Sequence, residues 1–205
     1  MSLDETVEKS VSKVSLCIEN VVASVNLGKT LNLSQLLEKY QDIEKKDNFP
    51  GLVVKLRSPK ATILIFGSGK MVITGIRLVK HIPIVVEKIL NKLECADIKI
   101  ETEPEIKVEN IVVRGDFHFT LNLDMTSLAL NRTIYEPEVF PGLIYKVVNP
   151  KVCFLLFSSG RIICTGANNE DAIKKAVKEL AITLKQKGVF GVSTSKSQAP
   201  KIEEF

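Results

Sequence analysis

The chain has little with which to hold a metal or to cross-link itself. Its 205 residues include four cysteines and two histidines. Cys17, Cys95, Cys153 and Cys164 are scattered without a Cys-x-x-Cys pair, and only His81 and His118 could join them. That pattern predicts buried reduced thiols, with neither a zinc site nor another cofactor. Long apolar runs are missing too. Mean hydropathy is slightly positive at +0.14, yet no uninterrupted stretch approaches the roughly 20 residues of a membrane span. The opening "MSLDETVEKS" has no apolar signal segment, which predicts a protein that stays inside the cell. Neither sign of charge dominates: a formal net charge of +4 permits a polyanionic partner without requiring one. The equipment of an enzyme is absent as well. There is no matched carboxylate pair, no Ser/His or Cys/His constellation, and no Gly-rich phosphate loop ahead of a helix; Gly67-Ser68-Gly69 reads as a hairpin turn.

What the chain does have is a repeat. "FPGLVVKLRSPKATILIFGSGKMVITG" begins at Phe49 and "FPGLIYKVVNPKVCFLLFSSGRIICTG" at Phe140, with 13 of 27 aligned positions identical and no gap. Phe49 and Phe140, Pro59 and Pro150, Phe66 and Phe157, and Gly75 and Gly166 are each 91 residues apart. Upstream, "ENVVASVNLGKTLNL" from Glu19 realigns with "ENIVVRGDFHFTLNL" from Glu109 at an offset of 90. A unit this long is a subdomain, too long for a solenoid repeat. With 45% apolar residues, the chain can bury a core as two halves of one domain or as two small domains. The expected organisation is an N-terminal extension over 1–13, a first repeat over 14–97, a second over 98–190 and a flexible tail over 191–205. Two copies predict a pseudo-two-fold molecule, suited to a target of approximate two-fold symmetry.

Each half reads as strand, helix, several strands, helix. Residues 14–26 and 106–119 are long β-prone runs, and "LNLSQLLEKY" is a short helix with Leu33, Leu36, Leu37 and Tyr40 at helical spacing. "GLVVKLRS", "ATILIFGS" and "KMVITG" form hairpins around Ser58-Pro59 and Gly67-Ser68-Gly69. The second half repeats this around Asn149-Pro150 and Ser158-Ser159-Gly160. Each half closes with an amphipathic helix, over 78–93 and 169–187. Strand alternation puts Lys70, Val72 and Thr74 on one face, with Arg161, Ile163 and Thr165 as repeat mates. Asn20, Val22 and Ser24 share a face in the same way, mirrored by Asn110, Val112 and Arg114. As the inside of a sandwich this face would need a cover, and the chain has no spare element to supply one. An apolar, uncovered face rimmed by cations is a binding surface.

"YEPEVFPGLIYKVVNPKVCFLLFSSGRIICTGA" (Tyr135 to Ala167) resembles the second repeat of the TATA-box-binding protein family, and the segment from Phe49 resembles the first; the similarity spans about residues 14–188. Phe-Pro-Gly-Leu in the first repeat and the lack of a long N-terminal extension match archaeal-type members. The resemblance implies an α+β fold: a pseudo-two-fold saddle of two tandem repeats, its curved ten-stranded antiparallel sheet carrying helices on the convex face. The underside would sit on the minor groove of A·T-rich promoter DNA and kink it with inserted side chains, behaviour for which this family is itself the standard example. The wedges map onto Phe49, Phe66, Phe140 and Phe157. By pattern alone Phe66 and Phe157 also read as strand core. Phe49 and Phe140 sit in loops, where a large apolar side chain has little to pack on.

The resemblance further implies groove contacts from Asn20, Val22, Leu64, Val72, Thr74, Asn110, Val112, Leu155, Ile163 and Thr165. An amide donor suits the acceptors of an A·T floor, where the guanine amino group would clash. Lys55, Arg57, Ser68, Lys70, Lys146, Ser159 and Arg161 match phosphate-facing positions, though each cation reads equally as solvated surface charge. Glu136 and Glu138 match the acidic loop that engages a transcription factor B-type partner, through which RNA polymerase is recruited. The expected location is the cytoplasm or nucleoid if archaeal and the nucleus if eukaryotic. Three departures stand out: Arg114 where the family has a small groove residue, Asn168 where it has lysine, and an acidic tail reduced to Glu203 and Glu204. They leave open a divergent paralogue, a regulatory protein-interaction module whose underside docks a DNA-mimicking partner.

Overall fold

The computed structural model describes residues 14–193. The expected N-terminal extension over 1–13 lies outside the described residues, as does the expected tail from 194 onward. The elements run β1 (Ser15–Asn26), α1 (Leu33–Lys39), β2 (Ile43–Lys45), β3 (Gly51–Arg57), β4 (Lys60–Phe66) and β5 (Lys70–Ile76). A 3-10 turn (Val79–His81) then leads into α2 (Ile82–Cys95). The second round is β6 (Glu105–Asp116), β7 (Phe119–Leu121), α3 (Leu123–Ala129), β8 (Thr133–Ile134), β9 (Leu143–Val147), β10 (Val152–Leu156), β11 (Arg161–Ala167), α4 (Glu170–Gln186) and β12 (Phe190–Ser193). Ten strands form one open antiparallel sheet in the order β2-β3-β4-β5-β1-β6-β11-β10-β9-β8, so the α+β class expected from the sequence is the class observed. Its edge strands, β2 and β8, have 3 and 2 residues, which leaves little unpaired backbone to recruit another chain.

β12 and β7 make a separate two-stranded sheet. The sequence reading gave residues 191–193 to the tail and merged β7 into β6. It underrated an aromatic cluster: the Phe190 ring centroid lies 5.6 Å from that of Phe117 and 5.7 Å from that of Phe119. By packing, the chain divides into two units. One is Glu19–Ile111; the other joins the chain up to Ile18 with the chain from Val112 onward. β1 and β6 therefore each give residues to both units, and the repeat boundary in sequence is not the boundary of packing.

Strand alternation sets the core. In β5, Met71, Ile73 and Ile76 are buried, and in β4 so are Ala61, Ile63 and Ile65. The helices supply the matching layer. Ile82, Val85, Val86, Ile89 and Leu93 of α2 are buried, as are Ile173, Ala176, Val177, Leu180 and Leu184 of α4. Each Val, Leu, Ile or Met among them contributes about 1.5–3 kcal/mol when removed from water. Leu90 and Ala172, whose helical spacing also fits these stripes, are only half-buried. Asparagines cap three of the four helices: Oδ1 of Asn32, Asn122 and Asn169 accepts from the amides of Ser34, Met125 and Ala172. Pro83 falls in the first turn of α2, where its missing N–H costs nothing, so the proline breaks no helix.

The repeat extends to its turns. Asn26 Oδ1 accepts the Gly28 amide at 3.2 Å, and Asp116 Oδ1 accepts the His118 amide at 2.7 Å. Gly28 and His118 both take a left-handed backbone, at φ 67° and 60°. The thiols do not share one environment. Cys164 is buried and Cys153 half-buried, while Cys17 and Cys95 are exposed. The expectation of buried thiols therefore fails for Cys17 and Cys95, which sit on solvent-facing positions of β1 and α2.

Candidate nucleic-acid interface

In each unit the middle of the other strand face is apolar and half-buried, except at Val53, which is only 4% exposed. Within Glu19–Ile111 the register aligns Val53 with Leu64, Leu64 with Val72 and Val72 with Ser24, a row crossing four strands. A second row aligns Lys55 with Thr62 and Thr62 with Thr74. Asn20 joins it through side-chain bonds. Its Oδ1 accepts the Gly75 amide at 2.7 Å, and Thr74 Oγ1 lies 3.2 Å from its Nδ2. The cause is a bulge. Between Val21↔Ile76 and Ala23↔Ile73, the two residues Thr74 and Gly75 stand opposite the single Val22, and Gly75 adopts φ +82°. The turned-out Gly75 N–H finds Asn20 instead of the ladder. With Oδ1 committed to that donor, the amide cannot flip, and Nδ2 is left as the donating end. Thr-Gly at the end of this strand in both repeats is the sequence trace of that bulge, and Gly166 repeats the positive φ at 104°.

The other unit builds corresponding rows. Ile144 aligns with Leu155 and Leu155 with Ile163, while Lys146 aligns with Cys153 and Cys153 with Thr165. Along β6, which gives residues to both units, Asn110 and Val112 are half-buried and Arg114 exposed, alternating with buried Ile111, Val113 and Gly115. The alternation read from the sequence therefore holds. The sequence reading missed Val53, Thr62, Ile144 and Cys153, which lie on the same rows. Alternation carried two residues back from Leu64 and Leu155, and across β3 and β9, finds all four.

The phenylalanines sit at the ends of these faces. Phe49 and Phe66 have ring centroids 5.5 Å apart, and Phe140 and Phe157 6.0 Å apart. All four are half-buried, unlike Phe154, which is fully buried as a core ring should be. Phe66 and Phe157 therefore do not behave as strand core. The loop before each pair is held by its own backbone: the Phe49 amide donates to the Lys46 carbonyl at 3.3 Å, and those of Val139 and Phe140 to the Glu136 carbonyl at 2.9 Å each.

The cations occupy the surroundings. Arg57, Lys70, Lys146 and Arg161 are exposed, as are Ser68 and Ser159 in their hairpin turns. Backbone bonds from Leu27 to Gly69 and from Leu31 to Gly67 fix the first of these turns, and bonds from Phe117 to Gly160 and from Leu121 to Ser158 fix the second. Lys55 is engaged already, its Nζ 2.7 Å from Glu44 Oε1 on the edge strand β2. Ser24 donates to Glu109 Oε1 at 2.7 Å, and Lys107 pairs with that carboxylate at 3.2 Å. The hydroxyl of Ser24 and the ammonium of Lys107 hold the Glu109 carboxyl below its ordinary value. Glu136 and Glu138 are exposed in the loop before Phe140, beside Val139, which is 80% exposed.

The structure also brings together three residues that the sequence reading kept apart. Ser15 Oγ lies 2.8 Å from His118 Nε2, and Asp116 Oδ1 lies 3.8 Å from His118 Nδ1. The likeness to a nucleophilic triad is superficial. The aspartate oxygen is committed to the His118 backbone amide at 2.7 Å, and 3.8 Å is too long for the hydrogen bond that orients a catalytic imidazole. Among the described residues, no group of three or more His, Cys, Asp or Glu could hold a metal ion. No described helix is long and apolar enough to cross a membrane.

The sequence profile of the family described as "Transcription factor TFIID (or TATA-binding protein, TBP)" matches residues 15–96 and again 105–187. The chain belongs to the TATA-binding protein family. It is 40% identical over 188 residues to the TATA-box-binding protein of Pyrobaculum aerophilum, covering 91% of this chain and 94% of that one. To the TATA-box-binding protein of Pyrococcus furiosus it is 44% identical over 174 residues, covering 82% and 91%. The solved structure of the Methanococcus jannaschii protein superposes with a TM-score of 0.78 at 38% identity, covering 84% of this chain and 99% of that one. Members of the family are DNA-binding transcription factors, and this chain shares the fold of the solved archaeal member.

The Glu44–Lys55 pair is testable in the free protein. The Lys55 ammonium holds the Glu44 carboxyl below its ordinary value, by hydrogen bond and by charge. A depressed folded-state value stabilises above the unfolded-state value and is lost as pH falls through the folded one. Carboxyl carbon NMR titration should place Glu44 below an ordinary glutamate, and Lys55→Met should raise it. An identical titration in both proteins would show that the pair does not form in solution.

Proposed function

We propose that the protein is a general transcription initiation factor that binds A·T-rich promoter DNA, the TATA box, in the minor groove. It kinks the duplex by inserting Phe49, Phe66, Phe140 and Phe157. The observation that carries this reading is the same assembly in both repeats: two packed, half-buried phenylalanine rings at the end of an apolar, uncovered strand face. Flat apolar rings at fixed positions are what unstacking a base step requires, and the bent duplex gains contact area in return. Val22, Leu64, Val72 and Thr74 in one repeat, and Val112, Leu155, Ile163 and Thr165 in the other, line the groove walls. Asn20 and Asn110 donate to adenine N3 and thymine O2 on its floor. Arg57, Ser68, Lys70, Lys146, Ser159 and Arg161 meet phosphates, which fix register without reading sequence. Lys55 joins them once a phosphate competes with Glu44. Such a factor works where the DNA is, which in an archaeal cell is the nucleoid.

Polarity on two nearly equivalent faces comes from a partner. Glu136 and Glu138 receive a transcription factor B-type protein, and RNA polymerase follows through it. The corresponding loop of the first repeat reads Lys45-Lys46-Asp47-Asn48, where Lys45 takes the place of Glu136 and two lysines stand beside the one acid, Asp47. Arg114 adds a second asymmetry: its repeat mate is Ser24, and a guanidinium is attracted by the negative potential of a narrow A·T groove.

Energy transfer between dyes at the two ends of an A·T-rich duplex should rise on binding, and Phe140→Ala with Phe157→Ala should remove a large part of that rise. Normal bending by this variant would refute the wedge assignment. Arg114→Ser should weaken binding and make log affinity against log salt shallower by about one counterion; an unchanged slope marks Arg114 as a bystander. Glu136→Arg with Glu138→Arg should spare DNA binding and abolish the ternary complex by charge repulsion. Ternary complexes that survive on a gel would remove the loop from the partner site.

A further inference from the structure

The glycine after Phe-Pro has a physical reason in each repeat, and the reason differs between them. Gly51 and Gly142 are both buried, and neither has a positive φ, so the requirement is for space and not for backbone freedom. A Cβ on Gly142 would lie 2.7 Å from Phe140 Cε1, 3.0 Å from Phe157 Cε1 and 3.2 Å from Phe140 Cζ. The three nearest obstacles are thus ring carbons of the proposed wedge pair. A Cβ on Gly51 would lie 3.1 Å from Phe49 Cε1 and 3.1 Å from Phe66 Cδ1, but also 2.6 Å from the carbonyl oxygen of Ile65. That oxygen belongs to the β3–β4 ladder, where Gly51 pairs with Phe66.

We propose that Gly142 is a positioning residue for DNA kinking: the bare backbone is the seat on which the Phe140 and Phe157 rings rest, and it sets the angle at which they meet a base step. The proposal rests on the wedge reading of those rings. Ring carbons at the far ends of side chains can rotate away from a methyl group, so Gly142→Ala keeps both phenylalanines and the fold while tilting the rings. At position 51 the methyl group meets main chain as well, and the sheet itself has to give. The two substitutions therefore separate. Gly142→Ala alters bending with little loss of stability; Gly51→Ala also lowers the melting temperature.

Four proteins are compared: wild type, Gly142→Ala, Phe140→Ala/Phe157→Ala, and the triple variant. Each is melted without DNA, its aromatic ring protons are followed by NMR where present, and its bending of the dye-labelled A·T-rich duplex is measured. Gly142→Ala is expected to melt within about 4 °C of wild type, a shift corresponding to about 1 kcal/mol for a chain of this size. The Phe140 and Phe157 ring signals should move, and the rise in energy transfer should fall towards that of the double variant. In the triple variant the added methyl group should have no further effect, because the rings through which it acts are gone. Wild-type bending by Gly142→Ala, when the double variant has lost it, overturns the seat and leaves the wedges intact. Wild-type bending by the double variant overturns the wedges instead. The positioning role of Gly142 in kinking then falls with them, whatever the ring signals show.

Discussion

The candidate interface depends on the burial of one face of each strand. Ile63, Ile65, Met71 and Ile73 are at most 1% exposed, and the apolar stripes of α2 and α4 are buried likewise. Once that face is taken, a period of two leaves every intervening side chain on the other. Asn20, Val22, Leu64, Val72 and Thr74 do not need individual placement, because the core residue beside each has placed it. A one-residue slip would send a set of isoleucines to solvent and the open-face residues inward. The register of the open face is thus enforced by the same burial that holds each unit together.

Much of this was legible in the chain. The hairpins, both long helices and the open face follow from alternation and helical spacing, and duplication doubles each signal: a pattern that could be chance at Lys70–Val72–Thr74 is not chance when Arg161–Ile163–Thr165 repeats it. What escaped were features of short reach or indirect cause. β2 and β8 are too short to have a period. β12 forms because Phe190 packs on Phe117 and Phe119, partners about 70 residues away in sequence, and composition alone made that segment a tail. The exposure of Cys17 and Cys95 escaped because cysteine usage speaks of redox state and says little about which strand or helix face a thiol takes.

The two repeats diverge on their open faces and in their turns as well as in the core. His118 stands in a left-handed turn where its mate is Gly28, held by the same side-chain-to-amide bond that Asn26 supplies in the first repeat. Cys153 replaces Thr62 on the open face, and Arg114 replaces Ser24. None of these positions belongs to the buried set. The buried set keeps its pattern while its members change: Ile63 answers to Phe154 and Ile73 to Cys164, all four fully buried, so the two repeats fill one strand-and-helix framework with different side chains.

The hold of the Gly75 amide on Asn20 has a kinetic side. A surface asparagine ordinarily samples several rotamers, and a partner must wait for the right one and then immobilise it, at a cost of about 0.5–1.5 kcal/mol for an ordered side chain. Here the ordering happens when the bulge forms, long before any partner arrives. Encounters then need not be sorted by the state of the amide, and under the function proposed above a base pair that offers the wrong edge meets a donor that cannot swing aside to accommodate it.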